Sequence, residues 1–159
     1  MDDKNNIQNL EIAEDGKQYI VIKLGIEQYG IDIQYVDNIV RNQKITRVPK
    51  AQSYFKGVMN LRGEIIPVMS LRLKFGLDPD EYTNNTRIII IKFNPQSAVG
   101  IIVDQVNEVV SLTDDQIDAI HSTDGNDVGT QYLSGVGKYN DTLISLLNIG
   151  AVIGEKDVG

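Results

Sequence analysis

Gly30-Ile31-Asp32-Ile33-Gln34-Tyr35-Val36-Asp37-Asn38-Ile39-Val40 returns 70 residues later as Gly100-Ile101-Ile102-Val103-Asp104-Gln105-Val106-Asn107-Glu108-Val109-Val110. The glycine, its β-branched neighbours and the pairs Val36/Val106, Ile39/Val109 and Val40/Val110 match in type. A second match needs a shift of 78: Gly57-Val58 falls on Gly135-Val136, and Ile65-Ile66-Pro67-Val68-Met69 on Leu143-Ile144-Ser145-Leu146-Leu147. The difference between the shifts is absorbed by a longer polar loop over Ser122 to Thr130. Chance matching of β-branched residues is the competing explanation, but two copies of one β unit account for the whole pattern. At about 65–70 residues each copy is small for independent stability, so the two are expected to share an interface.

Outward from the repeat, β signals dominate. Tyr19 to Leu24 is a β-branched run, Tyr29 to Ile33 alternates, and Gly25-Ile26-Glu27-Gln28 between them suits a hairpin. Ile65 to Met69 reads as a strand buried on both faces. Arg87 to Phe93 and Val99 to Val103 form a second hairpin around Asn94-Pro95-Gln96-Ser97, and Leu143 to Leu147 is a further strand. Helical signals are short. Ile33, Val36 and Val40 share a face if residues 33–40 make two turns. Ser70 caps a turn that stops at Gly76, and Thr113 to Gln116 has capping-box spacing. Recurrent glycines and short apolar runs argue for small barrels rather than a helical bundle. The expected division is a loose tail over 1–16, a first barrel over 17–83 and a second over 84–153, with terminal strands able to cross between them.

The 159 residues are 42% hydrophobic and 23% charged, which fits a globular protein and excludes wholesale disorder. Cysteine is absent, so disulfides, thiolate metal sites and cysteine nucleophiles are excluded together. The polar, acidic start MDDKNNIQNL is no signal peptide, and the apolar stretch Leu143 to Gly154 is too short to span a bilayer. A soluble, cytoplasmic protein without membrane insertion is expected. Of the net charge of −7, residues 83–159 carry −6, from 4 basic against 10 acidic residues. Positions 41–74 instead hold eight basic residues against Glu64 alone. A nucleic-acid-binding barrel would use such a stretch, but the acidic remainder and scarce aromatics argue against it. A solvated basic face, or one that meets an acidic protein partner, is the plainer reading.

Catalysis has little to work with. His121 is the single histidine, no serine sits in a nucleophile motif, and no metal-ligand spacing includes that histidine. Asp124-Gly125-Asn126-Asp127 lacks the ligand pattern of a calcium loop and reads as turn chemistry. No catalytic residue, metal or cofactor is therefore assigned.

One segment remains, Phe55-Lys56-Gly57-Val58-Met59-Asn60-Leu61-Arg62-Gly63-Glu64-Ile65-Ile66-Pro67-Val68-Met69-Ser70-Leu71-Arg72. Asn60 and Gly63 punctuate a turn, with Gly63 free to take a positive φ and Arg62 near the tip. Arg62 is either paired with a local carboxylate or an interface anchor. Its counterpart in the second copy is Asn140, so folding the unit does not require arginine.

This segment closely resembles the signature of the CheW-like family of bacterial chemotaxis. The resemblance extends through Tyr29-Gly30-Ile31 and Val36, Val99 to Asp104, Tyr132 to Gly137 and Leu146 to Ile149, covering roughly residues 17–153. It implies an all-β fold of two SH3-like five-stranded β-barrels packed against each other, with a few short helical turns. It also implies a non-enzymatic coupling protein, monomeric when isolated. Such a protein bridges the cytoplasmic tip of chemoreceptors to the regulatory domain of the histidine kinase CheA. A CheW-like scaffold for a different kinase pathway stays open. Carried over by position, Asn60, Arg62 and Gly63 fall in the receptor-binding turn, with Val36 and Ile39 as further receptor contacts. Tyr29, Ile31 and Ile33, read as an edge strand, and Gly57 fall to the kinase. Core packing is the alternative for Val36 and Ile39. Ser70 and Asn148 stand where many family members carry Asp. A hydroxyl or amide still caps the following turn, but any ion pair from position 70 to Arg72 or Arg62 is lost.

Overall fold

The computed structural model describes residues 16–120 and 130–154. Its strands are β1 (Lys17–Leu24), β2 (Glu27–Asp32), β3 (Val36–Arg41), β4 (Phe55–Leu61), β5 (Glu64–Ser70), β6 (Arg87–Asn94), β7 (Ser97–Val103), β8 (Gln105–Leu112), β9 (Ile117–Ala119), β10 (Leu133–Tyr139) and β11 (Thr142–Leu147). Two short helices, α1 (Leu71–Lys74) and α2 (Ile149–Ile153), follow β5 and β11. The strands form two sheets, ordered β8-β1-β2-β11-β10-β9 and β3-β6-β7-β5-β4. The fold is all-β, two SH3-like barrels. One sheet has six strands rather than five because β9, three residues long, lines up on β10. In the other sheet the same place is held by a single bridge, Thr46 to Val58.

The repeat survives into three dimensions. A shift of 70 lays β1 on β6, β2 on β7 and β3 on β8; a shift of 78 lays β4 on β10, β5 on β11 and α1 on α2. The parallel contacts obey it too: Gly100 pairs with Val68 and Gly30 with Leu146. A Cβ at either glycine would come within 2.8 Å of a side chain, Ile88 for Gly100 and Leu146 for Gly30. Close packing at the strand crossing thus accounts for both glycines.

Strand pairing departs from a contiguous split at 83/84. The β1–β2 hairpin of the first copy joins β8–β11 of the second, while the β6–β7 hairpin of the second joins β3–β5 of the first. Each copy completes the other's barrel. The exchange is made where the chain leaves each hairpin. After β2, Asp32 Oδ1 accepts from the Gln34 backbone N–H at 3.0 Å and caps a 3-10 turn over Ile33–Tyr35. That turn replaces the two helical turns expected over 33–40, because Val36 to Arg41 pair with β6 instead.

Exchanged hairpins explain the continuous apolar runs. Along β6, Ile88 and Ile90 point into their own barrel with Met59, Ile66, Val68 and Ile102. Ile89 and Ile91 point outward into a core shared with Ile20, Ile22, Leu24 and Ile31. On β1, Tyr19 and Val21 fill the other barrel beside Val110, Leu112, Ile144 and Leu146. Strands buried on both faces read as unbroken β-branched sequence. The β5 run is less buried than its sequence indicated, since Ile65 is 60% exposed. No helix among the described residues is long and apolar enough to cross a membrane.

Candidate functional site

The β4–β5 turn is built by its own sequence. Asn60 Oδ1 accepts from the Gly63 backbone N–H at 2.9 Å, while Arg62 (φ 55°) and Gly63 (φ 88°) both take left-handed backbone. Two consecutive left-handed residues match the twist of the flanking strands. The equivalent β10–β11 turn uses Asn140 (φ 49°) and Asp141 (φ 65°), residue types that accept this conformation. Arginine there carries a backbone cost. Its side chain is exposed and forms no ion pair with a described residue, which removes the local-carboxylate alternative among them.

Val36 and Ile39 lie on β3, an edge strand of the same sheet whose opposite edge is β4. Val36 is half-buried against the shared core, whereas Ile39 is 36% exposed. Core packing thus describes Val36 in part and Ile39 poorly.

Tyr29, Ile31 and Ile33 do not lie on an edge. β2 is paired on both sides, antiparallel to β1 and parallel to β11. Ile31 is fully buried in the shared core, so its side chain offers nothing to a partner. Ile33 is partly exposed in the 3-10 turn. Gly57 is buried on β4, away from β2, and its backbone (φ 136°) leaves no room for a side chain: an added Cβ would lie 2.1 Å from the Thr46 carbonyl oxygen. This close approach lies beside the Thr46–Val58 bridge.

Tyr29 does belong to a surface feature that the sequence left hidden. Its ring lies 5.5 Å from Phe75, which stacks on Tyr132 at 5.3 Å. Lys74 Nζ sits 4.0 Å from the centre of the Tyr54 ring and 5.6 Å from that of Tyr132. These half-buried rings, with Tyr35 and Val36, rim the shared core where the two barrels meet. Burial, reinforced by Glu27, raises the Tyr29 hydroxyl pKa, so it stays neutral. Tyr29, Tyr54, the adjacent Lys74 and Phe75, and Tyr132 lie in four separate stretches of the chain, and no local pattern announces the seam.

Beside the seam, the Arg72 guanidinium grips Asp104 with two hydrogen bonds of 2.8 Å. Asp104 Oδ2 also accepts from the Gly25 backbone N–H at 2.7 Å. The hydrogen bond from Arg72 is the main reason the Asp104 carboxyl pKa lies below its ordinary value. Ser70 Oγ accepts from the Leu73 N–H and Asn148 Oδ1 from the Ala151 N–H, each at 3.1 Å, so both replacements keep their caps. The Ser70 hydroxyl also donates to Asp80, whose carboxyl pKa is raised chiefly by burial.

His121 and Asp124 to Asp127 lie outside the described residues. Among the described ones, no three histidine, cysteine or acidic side chains converge on a metal position.

A profile of the CheW-like domain matches residues 18–157. The "Chemotaxis protein CheW" of Klebsiella aerogenes is 36% identical over 143 residues, covering 90% of this chain and 85% of that one. The protein of the same name in Bacillus subtilis is 33% identical over 87% of both. Among solved structures, the scaffolding protein TtCheW of Thermoanaerobacter tengcongensis has a similar fold, with a TM-score of 0.75 and 32% identity, covering 84% of this chain and 89% of its own. Two exchanged barrels, the Asn60–Gly63 turn and these matches lead to one conclusion: the chain belongs to the CheW-like family.

Proposed function

We propose that this chemotaxis adaptor bridges the cytoplasmic tip of chemoreceptors and the regulatory domain of the histidine kinase CheA, and carries out no reaction itself. The observation that carries the reading is Arg62. It holds a costly left-handed backbone, stands exposed and unpaired among the described residues, and replaces the cheaper Asn140 of the second copy. Backbone strain retained without a folding role points to a binding role. The receptor face comprises Asn60, Arg62 and Gly63 with Val36 and Ile39. The kinase face runs through Tyr29 and Ile33, with Ile31 and Gly57 supporting these surfaces from inside.

Such a protein works by geometry. It holds two partners in a fixed relation, so a small change in one alters its contacts and shifts the other's equilibrium. The shared core suits that task, because a packed interior transmits displacement rather than absorbing it. The protein acts as a monomer in the cytoplasm, recruited to receptor–kinase arrays, and needs no nucleic acid or cofactor.

Isothermal titration against the CheA regulatory domain of the same organism tests the assignment. Saturable binding near one-to-one is expected. A flat titration with both proteins folded overturns the chemotaxis-kinase assignment in favour of another kinase pathway.

A further inference from the structure

Residues 38–63 contain Arg41, Lys44, Arg47, Lys50, Lys56 and Arg62 and no aspartate or glutamate, in a chain of net charge −7. None of the six cations forms an ion pair with a described residue. Arg41 ends β3, and the fold sets the segment that carries Lys44, Arg47 and Lys50 beside β4, which carries Lys56 and leads into the Arg62 turn. Thr46 and Val58 exchange two backbone hydrogen bonds, 2.8 and 2.9 Å, so the segment around Thr46 runs antiparallel beside β4. Counting outward from that pair brings Lys44 level with Asn60, next to the Arg62 turn, and Val48 level with Lys56. Two hollows of about 300 Å³ open here, one lined by Asn42, Gln43, Ile45 and Tyr82, the other by Val48, Lys50, Gln52 and Phe55. Arg47 and Lys56 line both.

Backbone conformation marks the same edge. Four described residues other than glycine have positive φ, and two of them are Lys50 (φ 61°) and Arg62 (φ 55°). The other two are the Asn140–Asp141 turn, where the residue types explain it. Lys50 and Arg62 are both long cations held in left-handed backbone, and neither forms an ion pair with a described residue.

We propose that this edge docks a carboxylate-rich segment of a protein partner, its acidic side chains entering the two hollows on either side of Arg47 and Lys56. A short acidic segment needs only the patch. A long polyphosphate would run beyond it onto a protein of net charge −7. The proposal stands apart from the partner assigned to the Arg62 turn, because Arg47 and Lys56 belong to neither face described above.

The test is binding of a fluorescein-labelled glutamate-rich 12-residue peptide, measured by anisotropy at two salt concentrations. A thymidine oligonucleotide of equal charge and vesicles containing anionic lipid serve as comparators. Saturable peptide binding that weakens with salt is expected, with affinity falling about tenfold in R47E/K56E and less in R47Q/K56Q. Unchanged thermal unfolding shows that the variants fold, and an unchanged titration against the kinase domain keeps this outcome separate from the adaptor assignment. No peptide binding, equal binding by the reversed-charge variant, or tighter binding of the oligonucleotide or vesicles overturns the proposal.

Discussion

Arg72 and Asp104 meet in a two-pronged ion pair, Nε to Oδ1 and Nη2 to Oδ2, both at 2.8 Å. Arg72 is the second residue of α1, the helix that follows β5. Asp104 stands where β7 hands over to β8, the point at which the chain changes sheets, and its second oxygen holds Gly25 in the β1–β2 turn. One carboxylate thus ties together both sheets and the exchange point. The repeat offers no duplicate of it, since the matching positions are Gln34 and Gly150. Asp104→Ala is expected to cost about 1–3 kcal/mol, because it leaves a partly buried guanidinium and a backbone N–H without their acceptor. Urea unfolding at neutral pH measures it, and an effect below ~0.5 kcal/mol would remove the tie from the account of barrel docking.

Two aspartates should make stability depend on pH in opposite directions. Asp104 has a depressed folded pKa, held down first by the Arg72 hydrogen bond. Its contribution is present above the unfolded value of about 3.9 and is lost as pH falls through the folded pKa. Asp80 has a raised folded pKa, driven by burial and only partly offset by Ser70. Its contribution is full below about 3.9 and lost as pH rises through the folded pKa. Relative to Asp80→Asn, the native protein should therefore gain stability as the solution is acidified from pH 7 toward about pH 4. Parallel melting curves across that range would contradict the burial of Asp80, whose Oδ2 has no partner among the described residues.

Gly57 and Gly63 separate close approach from turn geometry. Gly57→Ala drives a Cβ into the Thr46 carbonyl, so destabilisation of about 3 kcal/mol or more is expected. At Gly63 nothing lies within 4 Å of the added carbon, and only the left-handed backbone resists it, about 1–2 kcal/mol. Equal losses in denaturant unfolding would mean that the Thr46–Val58 bridge yields easily.

Ile31→Ala should remove about 2–5 kcal/mol from the shared core, and Ile33→Ala less than about 1 kcal/mol. If kinase affinity falls in Ile33→Ala but Ile31→Ala changes only stability, contact and support are distinguished. The reverse pattern would reject the inward assignment of Ile31.

Arg62→Ala is expected to weaken receptor binding by about 1–3 kcal/mol, as loss of an arginine anchor does, while folding is unchanged or slightly improved by relief of strain. Titration with a receptor cytoplasmic fragment measures it. Undiminished affinity in a folded variant takes Arg62 out of the receptor face.

Much of this protein was legible in its sequence because the information is local. Strand periodicity, the Ser70 and Asn148 caps and the Asn60–Gly63 turn depend on neighbours within four residues. The 70- and 78-residue shifts revealed two copies of one unit because duplicated strands keep their β-branched pattern. Which copy's hairpin completes which barrel was left to tertiary structure. A β-branched run buried on both faces pairs equally well with either set of strands, and sequence carries no label for the partner. The turn after Asp32 and the Arg72–Asp104–Gly25 contact make that choice in space. The same exchange moved Ile31 from a supposed edge to the core, and it assembled Tyr29, Phe75, Tyr132 and Lys74 into one seam. Those contacts join residues from three separate segments, so they exist only once the chain has packed.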